Sequence, residues 1–364
     1  MLFVETHRSE VAESVVHSRN VEDHPNITIL EMHLPAHRWH DGNFIDLERR
    51  RMLQQVLSHA KGLFENAILW INDPMAVKAF AGQLGESMIV YDCMDELSQF
   101  SGAAPELIER EQELTRMADV IFCGGRKMRD KRLPTNGNTH FYGTGVDCRH
   151  FGRAMDPGLP IHPDIDSLPG PVLGYFGVID ERIDYELLAL LADAEPAWSI
   201  VMVGPFAKID PAAIPRRANL HWLGARSYAE LPSLTKGMDL CMMPFALNAA
   251  TEYINPTKAL EYMAAGKAVV ATALDEVRSN FSTVCRIARD SEDFISLCRR
   301  EVASPSTARI RNGLRLASAN TWEVIVSKMD GHIHDVLVSR LPARNELVDA
   351  SPTHTTTSTP SLYV

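Results

Sequence analysis

Short apolar runs rich in β-branched residues alternate with helical segments along most of the chain, and this alternation limits the fold more than any other feature. It is typical of parallel sheets with helices on both faces. The runs predict strands at Leu2–Val4, Ile27–Leu30, Ala67–Ile71, Met88–Asp92, Val120–Cys123, His140–Tyr142, Val172–Phe176, Ser199–Val203, Leu220–Leu223, Leu240–Met243, Ala268–Ala271 and Val284–Ile287. The clearest helices are predicted at Ile45–Leu63, Glu106–Met117, Ser306–Ala317 and Trp322–Leu337.

A proline- and aspartate-rich stretch, "AMDPGLPIHPDIDSLPGP", separates these strands into two series. Two such series in a chain of 364 residues predict an α/β protein with two doubly wound domains, residues 1–152 and 153–320. Residues 341–364 are rich in Thr, Ser and Pro and poor in large apolar residues, so we expect this tail to be disordered.

The composition excludes several classes of protein. A net charge of -11 without a lysine-rich arm argues against nucleic acid as a partner. The six cysteines form no C-x-x-C pair, which is typical of reduced, buried thiols in a cytosolic protein. No apolar run has the length of a membrane span, and the first residues lack the pattern of a signal peptide. We therefore expect a cytoplasmic protein.

The sequence contains neither G-x-x-x-x-G-K-[ST] nor G-x-G-x-x-G. Their absence argues against a P-loop NTPase and makes an NAD-dependent oxidoreductase a distant alternative. Three histidines, His33, His37 and His40, resemble a metal site only by number. Pro35 interrupts a helical arrangement and no cysteine or carboxylate pattern completes the site, so we expect no metal.

A basic run, "RKMRDKR", covers residues 126–132. Its plain interpretation is a solvated helix face. The alternative is peripheral contact with anionic lipid headgroups at the inner face of the plasma membrane, or with an anionic acceptor.

Glycine turns follow three predicted strands of the second series, at Gly177, Gly204 and Gly224. The carboxyl ends of parallel strands share one edge of a sheet, and ligands of open α/β sheets bind there. In the first series, "IVYDCMDEL" places Asp92 at a strand end and Asp95 just beyond. These carboxylates are candidate site residues, with helix capping as the alternative.

The stretch "NPTKALEYMAAGKAVVAT", residues 255–272, predicts a short helix that leads into a buried strand. Asn255 suits the N-cap and Gly266 the C-terminal turn. Lys258, in the first turn, opposes the helix dipole unless an anion lies beside it. The alternative is a solvated lysine and a surface glutamate, Glu261, on an ordinary helix.

Four segments together resemble the nucleotide-sugar-dependent glycosyltransferases of the GT-B fold: "PTKALEYMAAGKAVVAT", "NLHWLGARSYAELP", "DLCMMPF" and "GVDCRHF". The nearest likeness is to the family-4-like, retaining branch (glycosyl transferases group 1) of bacterial polysaccharide synthesis, from about residue 60 to 340. The resemblance implies two Rossmann-like domains. It also implies that 1–152 binds the acceptor, 153–320 binds the donor, and helix 321–340 crosses back to the first domain.

The resemblance also implies roles for individual residues. The donor ribose is assigned to Glu261, the base to the backbone of Leu223 and Gly224, and the diphosphate to the turn at Gly177. The remaining assignments are Gly204 and Thr257 at the donor, Arg182 and Lys258 at the leaving group, and Asp92 and Asp95 on the acceptor side.

Two departures from the family accompany the resemblance. The family's Glu-x7-Glu pair would place its first Glu at Tyr253, so Glu252, one residue away, is the candidate for the catalytic role of that Glu at the donor sugar. The chain begins at "MLFVE", without the strand–helix unit that usually precedes such a segment, so we expect an incomplete N-terminal domain.

The expected function is transfer of a sugar from a UDP- or GDP-sugar to a saccharide or lipid-linked acceptor, without a metal or cofactor. The alternative is a catalytically degenerate relative that binds a nucleotide sugar or a partner protein.

Overall fold

A computed structural model describes residues 1–340 of the chain, apart from residues 61, 63, 100–102, 211, 213, 249 and 250. The tail expected to be disordered, residues 341–364, lies outside the described residues. The strands are β1 (Leu2–Ser9), β2 (Val15–Val21), β3 (His24–Pro35), β4 (Ile68–Ile71), β5 (Met88–Cys93), β6 (Val120–Cys123), β7 (Thr139–Phe141), β8 (Val172–Phe176), β9 (Ser199–Val203), β10 (Leu220–Gly224), β11 (Leu240–Met243), β12 (Val269–Thr272) and β13 (Arg286–Ala288).

The helices follow most strands directly, as the alternation predicts. They are α1 (Gly42–His59), α2 (Val77–Phe80), α3 (Glu106–Met117), α4 (Arg126–Arg132), α5 (Cys148–Gly152), α6 (Pro163–Asp166), α7 (Tyr185–Ala194), α8 (Leu231–Lys236), α9 (Lys258–Ala264), α10 (Asp275–Phe281), α11 (Ser291–Ala303), α12 (Thr307–Ser318) and α13 (Trp322–Ser339). The strands form three sheets with the orders β1-β3-β2, β4-β5-β6-β7 and β10-β9-β8-β11-β12-β13.

The described chain divides into two compact units. The first unit contains residues 1–92, 105–121 and 333–340, and the second contains residues 93–104 and 122–332. The predicted domain boundaries, and the return of helix 321–340 to the first domain, stay predictions.

The first unit contains a strand that the sequence pattern misses. β1 and β3 pair in parallel, whereas β2 pairs antiparallel with β3 through a turn at Glu22 and Asp23. β2 is largely exposed and polar, and its turn has no glycine, so neither the apolar run nor the usual hairpin signal marks it. The inner face of β3, formed by Leu30, Met32 and Leu34, packs in one core with α1.

The second unit is built around a six-stranded sheet in which the paired strands run parallel. All residues of β8, β9 and β11 are buried, which explains why continuous apolar runs mark them. Numbered from β8, the strand order is 3-2-1-4-5-6, the order of the doubly wound dinucleotide-binding fold. The chain reverses direction across the sheet between β8 and β11, so a ligand is expected outside the carboxyl ends of these strands.

The predicted start of α9 is wrong. The N-cap is Thr257, and its side chain forms no capping hydrogen bond. Asn255 lies outside the helix, and its Nδ2 donates to the Gly124 carbonyl at 3.1 Å. The amide that suits a cap is therefore used in a contact distant in sequence. At the other end, Gly266 has a φ of 70°, as a C-terminal glycine turn requires.

None of the described helices is both long and apolar enough to cross a membrane. All six cysteines are free thiols and five of them are buried, Cys148 being half-buried.

Candidate functional site

Three glycine turns meet at the carboxyl edge of β8, β9 and β10. Gly177, Gly204 and Gly224 have φ values of 144°, 152° and 71°. Their backbones are joined, because Gly177 N–H donates to the Val203 carbonyl at 2.8 Å and Gly204 N–H donates to the Gly224 carbonyl at 2.9 Å. The prediction that these three glycines lie at one edge of the sheet is therefore confirmed.

The closeness of these turns explains the glycines. A Cβ built on Gly204 would lie 1.8 Å from the carbonyl oxygen of Gly177, so any side chain at Gly204 would separate the two turns. Gly204 is itself buried, whereas Gly177 is half-buried at the end of β8, where the strand order reverses, so its backbone without a side chain is open to a ligand there.

Lys258 extends from the start of α9 into this edge. Its Nζ lies 5.9 Å from the centre of the Tyr175 ring. Burial lowers the pKa of Lys258, and the neighbouring Arg182 lowers it further, whereas Glu261 and Asp180 raise it. Within the described parts of the chain, no carboxylate forms an ion pair with this ammonium group. A half-buried cation without a counterion is a suitable partner for an anionic ligand.

Arg182 is held by a carboxylate two residues away. Its Nε lies 2.9 Å and 3.0 Å from the two Asp180 oxygens, and its Nη2 lies 2.6 Å from Asp180 Oδ2. The bond from Asp180 raises the pKa of Arg182, and Asp95 adds to this rise. The structure therefore brings Asp95, Arg182 and Lys258 into one electrostatic environment. The sequence "DER" alone does not show that the side chains of Asp180 and Arg182 pair.

Glu261 lies on α9 one turn after Lys258 and is half-buried. Burial raises the pKa of its carboxyl group, and Lys258 partly opposes that rise. Its side chain is in none of the hydrogen bonds or ion pairs found among the described residues. A capping role for Glu261 therefore has no support, and its carboxylate is free to accept bonds from a ligand.

The strand that precedes the Gly224 turn is irregular at its end. The pairing of β10 with β9 shifts between Trp222 and Gly224, so Leu223 is the extra residue of a bulge. The Leu223 carbonyl accepts a bond from Arg226 Nη1 at 2.5 Å. Arg226 Nη2 in turn donates to Asp164 at 2.6 Å. These contacts fix the backbone to which we assigned the base.

Two other predicted site residues, Thr257 and Glu252, form no hydrogen bond or ion pair with the Lys258 side chain among the contacts of the described residues. Thr257 is exposed at the start of α9. Glu252 is also exposed, and its carboxylate lies 3.4 Å from the Nζ of Lys127, which is also paired with Asp275 at 2.7 Å. Glu252 thus takes part in a different ion-pair cluster.

In the first unit, Asp92 accepts a bond from Trp70 Nε1 at 3.2 Å, and burial raises its pKa.

The interpretation of the basic run as a solvated face holds for only part of it. Lys131 is exposed, whereas Arg132 is buried and its guanidinium pairs with the buried Glu96 carboxylate at 3.1 Å. Lys127 and Lys131 are paired with carboxylates as well. The positive charge of α4 is therefore used largely inside the second unit, which removes the main reason to assign it to lipid headgroups.

Of the three histidines considered as metal ligands, His33 lies in β3, and its Nδ1 is 2.9 Å from Ser9 Oγ. In the portion of the chain that the structure describes, no three His, Cys, Asp or Glu side chains are placed to hold a metal ion.

Comparison with known proteins defines the class. Residues 170–300 match the model of the family Glycosyl transferases group 1. Over 252 residues, the chain is 26% identical to a protein of Bacillus subtilis (strain 168) named as a teichuronic acid biosynthesis glycosyltransferase, TuaH. That match spans 64% of this chain and 63% of TuaH.

Two solved structures share the fold at low identity. Sucrose-phosphate synthase from Thermosynechococcus elongatus is 13% identical, with a TM-score of 0.65 over 93% of this chain and 89% of the synthase. HepE from Anabaena, in complex with UDP and glucose, is 14% identical, with a TM-score of 0.60 over 78% of this chain and 82% of HepE.

Residues 170–300 therefore match the family Glycosyl transferases group 1, and the fold is that of the GT-B glycosyltransferases, with Rossmann-like domains. The predictions of a GT-B glycosyltransferase and of its fold are confirmed. The expected incompleteness of the N-terminal domain stays a prediction.

Proposed function

We propose that the protein is a glycosyltransferase that moves a sugar from a UDP- or GDP-sugar to a saccharide or lipid-linked acceptor in bacterial polysaccharide or cell-envelope synthesis. The observation that carries this proposal is Lys258, a half-buried cation without an ion-pair partner among the described residues, beside the glycine turn that follows β8. The family of residues 170–300 and the UDP and glucose bound to HepE support a nucleotide-sugar donor. The likeness to TuaH supports polysaccharide synthesis.

The proposed chemistry needs positive charge where the leaving group forms. As the bond between the sugar C1 and the diphosphate breaks, negative charge develops on the phosphate oxygens. Lys258 and Arg182 supply two cations near Gly177, and their fixed positions stabilise that charge without reorganisation. A diphosphate needs no general acid, so no protein proton donor is required. We propose that the configuration at C1 is retained and that the leaving phosphate accepts the proton of the acceptor hydroxyl.

The remaining donor contacts follow from the same edge. Glu261 accepts bonds from the ribose hydroxyls, and the backbone at Leu223 and Gly224 faces the base. Gly204 keeps the second turn close to the phosphates, and Thr257 adds a hydroxyl at the start of α9. Glu252 is the remaining candidate for the donor sugar, although its present partner is Lys127.

We propose that the reaction uses no metal or organic cofactor, because two protein cations take the place of a divalent ion at the diphosphate. The protein acts in the cytoplasm, where its donor is made, and a lipid-linked acceptor would bring it to the inner face of the plasma membrane. Asp92 and Asp95 are the acceptor-side candidates.

Nucleotide release tests the proposal directly. The protein is incubated with UDP-glucose or GDP-mannose in EDTA, with and without saccharide and lipid extracts, and free UDP or GDP is measured. We expect release that depends on an extract and that Lys258→Met abolishes. A protein that binds UDP or GDP but releases none with any extract would instead be a non-catalytic relative.

A further inference from the structure

A pair of stacked aromatic rings, the exposed Tyr228 and the half-buried His150, lies next to the proposed donor site. The ring of Tyr228 stacks on the imidazole of His150, with centroids 4.0 Å apart and an angle of 11° between the planes. His150 Nε2 lies 2.8 Å from the Tyr228 carbonyl oxygen. A carbonyl oxygen can only accept, so Nε2 carries the proton and the imidazole is fixed in orientation.

Buried contacts hold both rings in place. Phe151, which is 1% exposed, meets each of them edge to face, with centroids 5.0 Å from His150 and 5.7 Å from Tyr228. The backbone N–H of His150 donates to the carboxylate of Asp147, the N-cap residue of α5, at 2.8 Å. A rigid pair of stacked rings therefore needs no ordering when a ligand binds.

Tyr228 nevertheless remains 52% exposed. One face of its ring is covered by His150, so much of the exposed area belongs to the other face and the edge. A large aromatic side chain held rigidly but left open to solvent is suited to stacking with a planar ligand.

The position of the two rings indicates which planar part of the donor would lie beside them. Tyr228 follows Gly224 by four residues in the chain, in the turn that begins at the β10 bulge. α5, which carries His150, packs against α9, which carries Glu261. Tyr228 lies near enough to Glu261 for that carboxylate to contribute, after burial and Asp147, to the raised pKa of the phenol.

We infer that the Tyr228 ring, supported by His150, is a stacking platform for the nucleobase of the donor. This inference rests on the proposed function and on the assignment of the ribose to Glu261. If the ribose is held at Glu261, the base attached to it lies within reach of the ring, while the diphosphate lies toward Lys258. Stacking of a base on an aromatic side chain contributes about 1–3 kcal/mol by alanine substitution, and it tolerates any base.

Calorimetry in EDTA with UDP, GDP and ribose 5-diphosphate, which lacks a base, tests the platform. We expect Tyr228→Ala to weaken UDP and GDP binding by about fivefold or more, which corresponds to at least ~1 kcal/mol, and to leave ribose 5-diphosphate within about twofold. Tyr228→Phe keeps the ring and should bind all three probes like wild type. Tyr228→Leu keeps apolar packing on His150 without a ring, and it takes the place of the alanine variant if that variant melts early.

The outcomes separate the platform from the proposed function. Unchanged UDP and GDP affinity in Tyr228→Ala or Tyr228→Leu would overturn the platform alone. Equal weakening of all three probes would also overturn it, because the tyrosine would then act on the shape of the site. A wild-type protein that binds neither UDP nor GDP would overturn both the platform and the proposed function.

Discussion

The side chain of Lys258 crosses the turn at Gly177 so closely that a Cβ on Gly177 would lie 2.0 Å from the lysine Cε and 2.8 Å from its Nζ. The same Cβ would lie 2.9 Å from the Tyr175 hydroxyl. The absence of a side chain at Gly177 thus leaves the space that the lysine side chain occupies. Gly177 and Lys258 are far apart in the sequence, and the fold brings them into contact at the site.

Gly177→Ala should therefore abolish nucleotide binding and also lower the stability of the fold. The alanine would have to adopt a φ of 144°, at a cost of about 1–3 kcal/mol, and would displace Lys258. Gly85→Ala is a matched control, because Gly85 has a φ of 71° but a Cβ there would meet nothing within 4 Å. We expect a lower melting temperature in both variants and lost UDP affinity only in Gly177→Ala. Normal UDP binding by Gly177→Ala would show that Lys258 does not need this space.

UDP affinity should fall as the pH rises toward the ordinary pKa of lysine. In the free protein, burial lowers the pKa of Lys258 below the ordinary lysine value of 10.5, and a bound diphosphate favours the charged form. Binding above the lowered pKa therefore takes up a proton, which calorimetry in buffers of different ionisation enthalpy measures. Lys258→Arg keeps its charge at every such pH and should bind UDP without this proton uptake. Uptake that persists in Lys258→Arg would assign the proton to another group.

The same lysine gives a stability prediction with a defined sign. Its folded pKa is lower than its unfolded pKa, so between the two values the unfolded chain binds more protons and stability rises with pH. Below that window, the uncompensated charge destabilises the fold. Lys258→Met should thus raise the melting temperature at neutral pH while weakening UDP by roughly tenfold or more, since charge-assisted bonds contribute about 1.5–3 kcal/mol each. A drop in the melting temperature would mean that the ammonium has a stabilising partner.

The sequence was most informative where burial is complete on both faces of a strand. The predicted bounds of β6, β8, β9 and β11 are those of the structure, because continuous apolar runs leave little alternative. β2 was missed because a largely exposed strand carries no such run. At the site, the glycines and charged residues could be predicted, since their types are unusual at strand ends. The bond from Asn255 to Gly124 and the Tyr228–His150 stack could not be predicted, because each joins residues distant in sequence.

Asp180 should act through Arg182 as a positioning residue. Its two oxygens bind the Nε and Nη2 edge of the guanidinium, which fixes the plane of that group. Asp180→Asn can accept only one such bond, and we expect UDP affinity to fall by about fivefold. In an Arg182→Ala background, Asp180→Asn should have no further effect on affinity, which a double-mutant cycle measures. Additive losses would indicate that Asp180 contributes independently of Arg182.

Glu261→Gln tests the ribose assignment. Burial raises the pKa of the Glu261 carboxyl, and its side chain forms no hydrogen bond with the described residues, so the variant loses no internal contact and should melt at or above the wild-type temperature. Two bonds to ribose hydroxyls are each worth about 1.5–3 kcal/mol, so UDP affinity should weaken by roughly tenfold or more. A 2′,3′-dideoxy nucleotide lacks both hydroxyls and should bind wild type and Glu261→Gln almost equally. If this nucleotide discriminates between the two proteins as strongly as UDP does, Glu261 acts on another part of the donor, such as the diphosphate through Lys258.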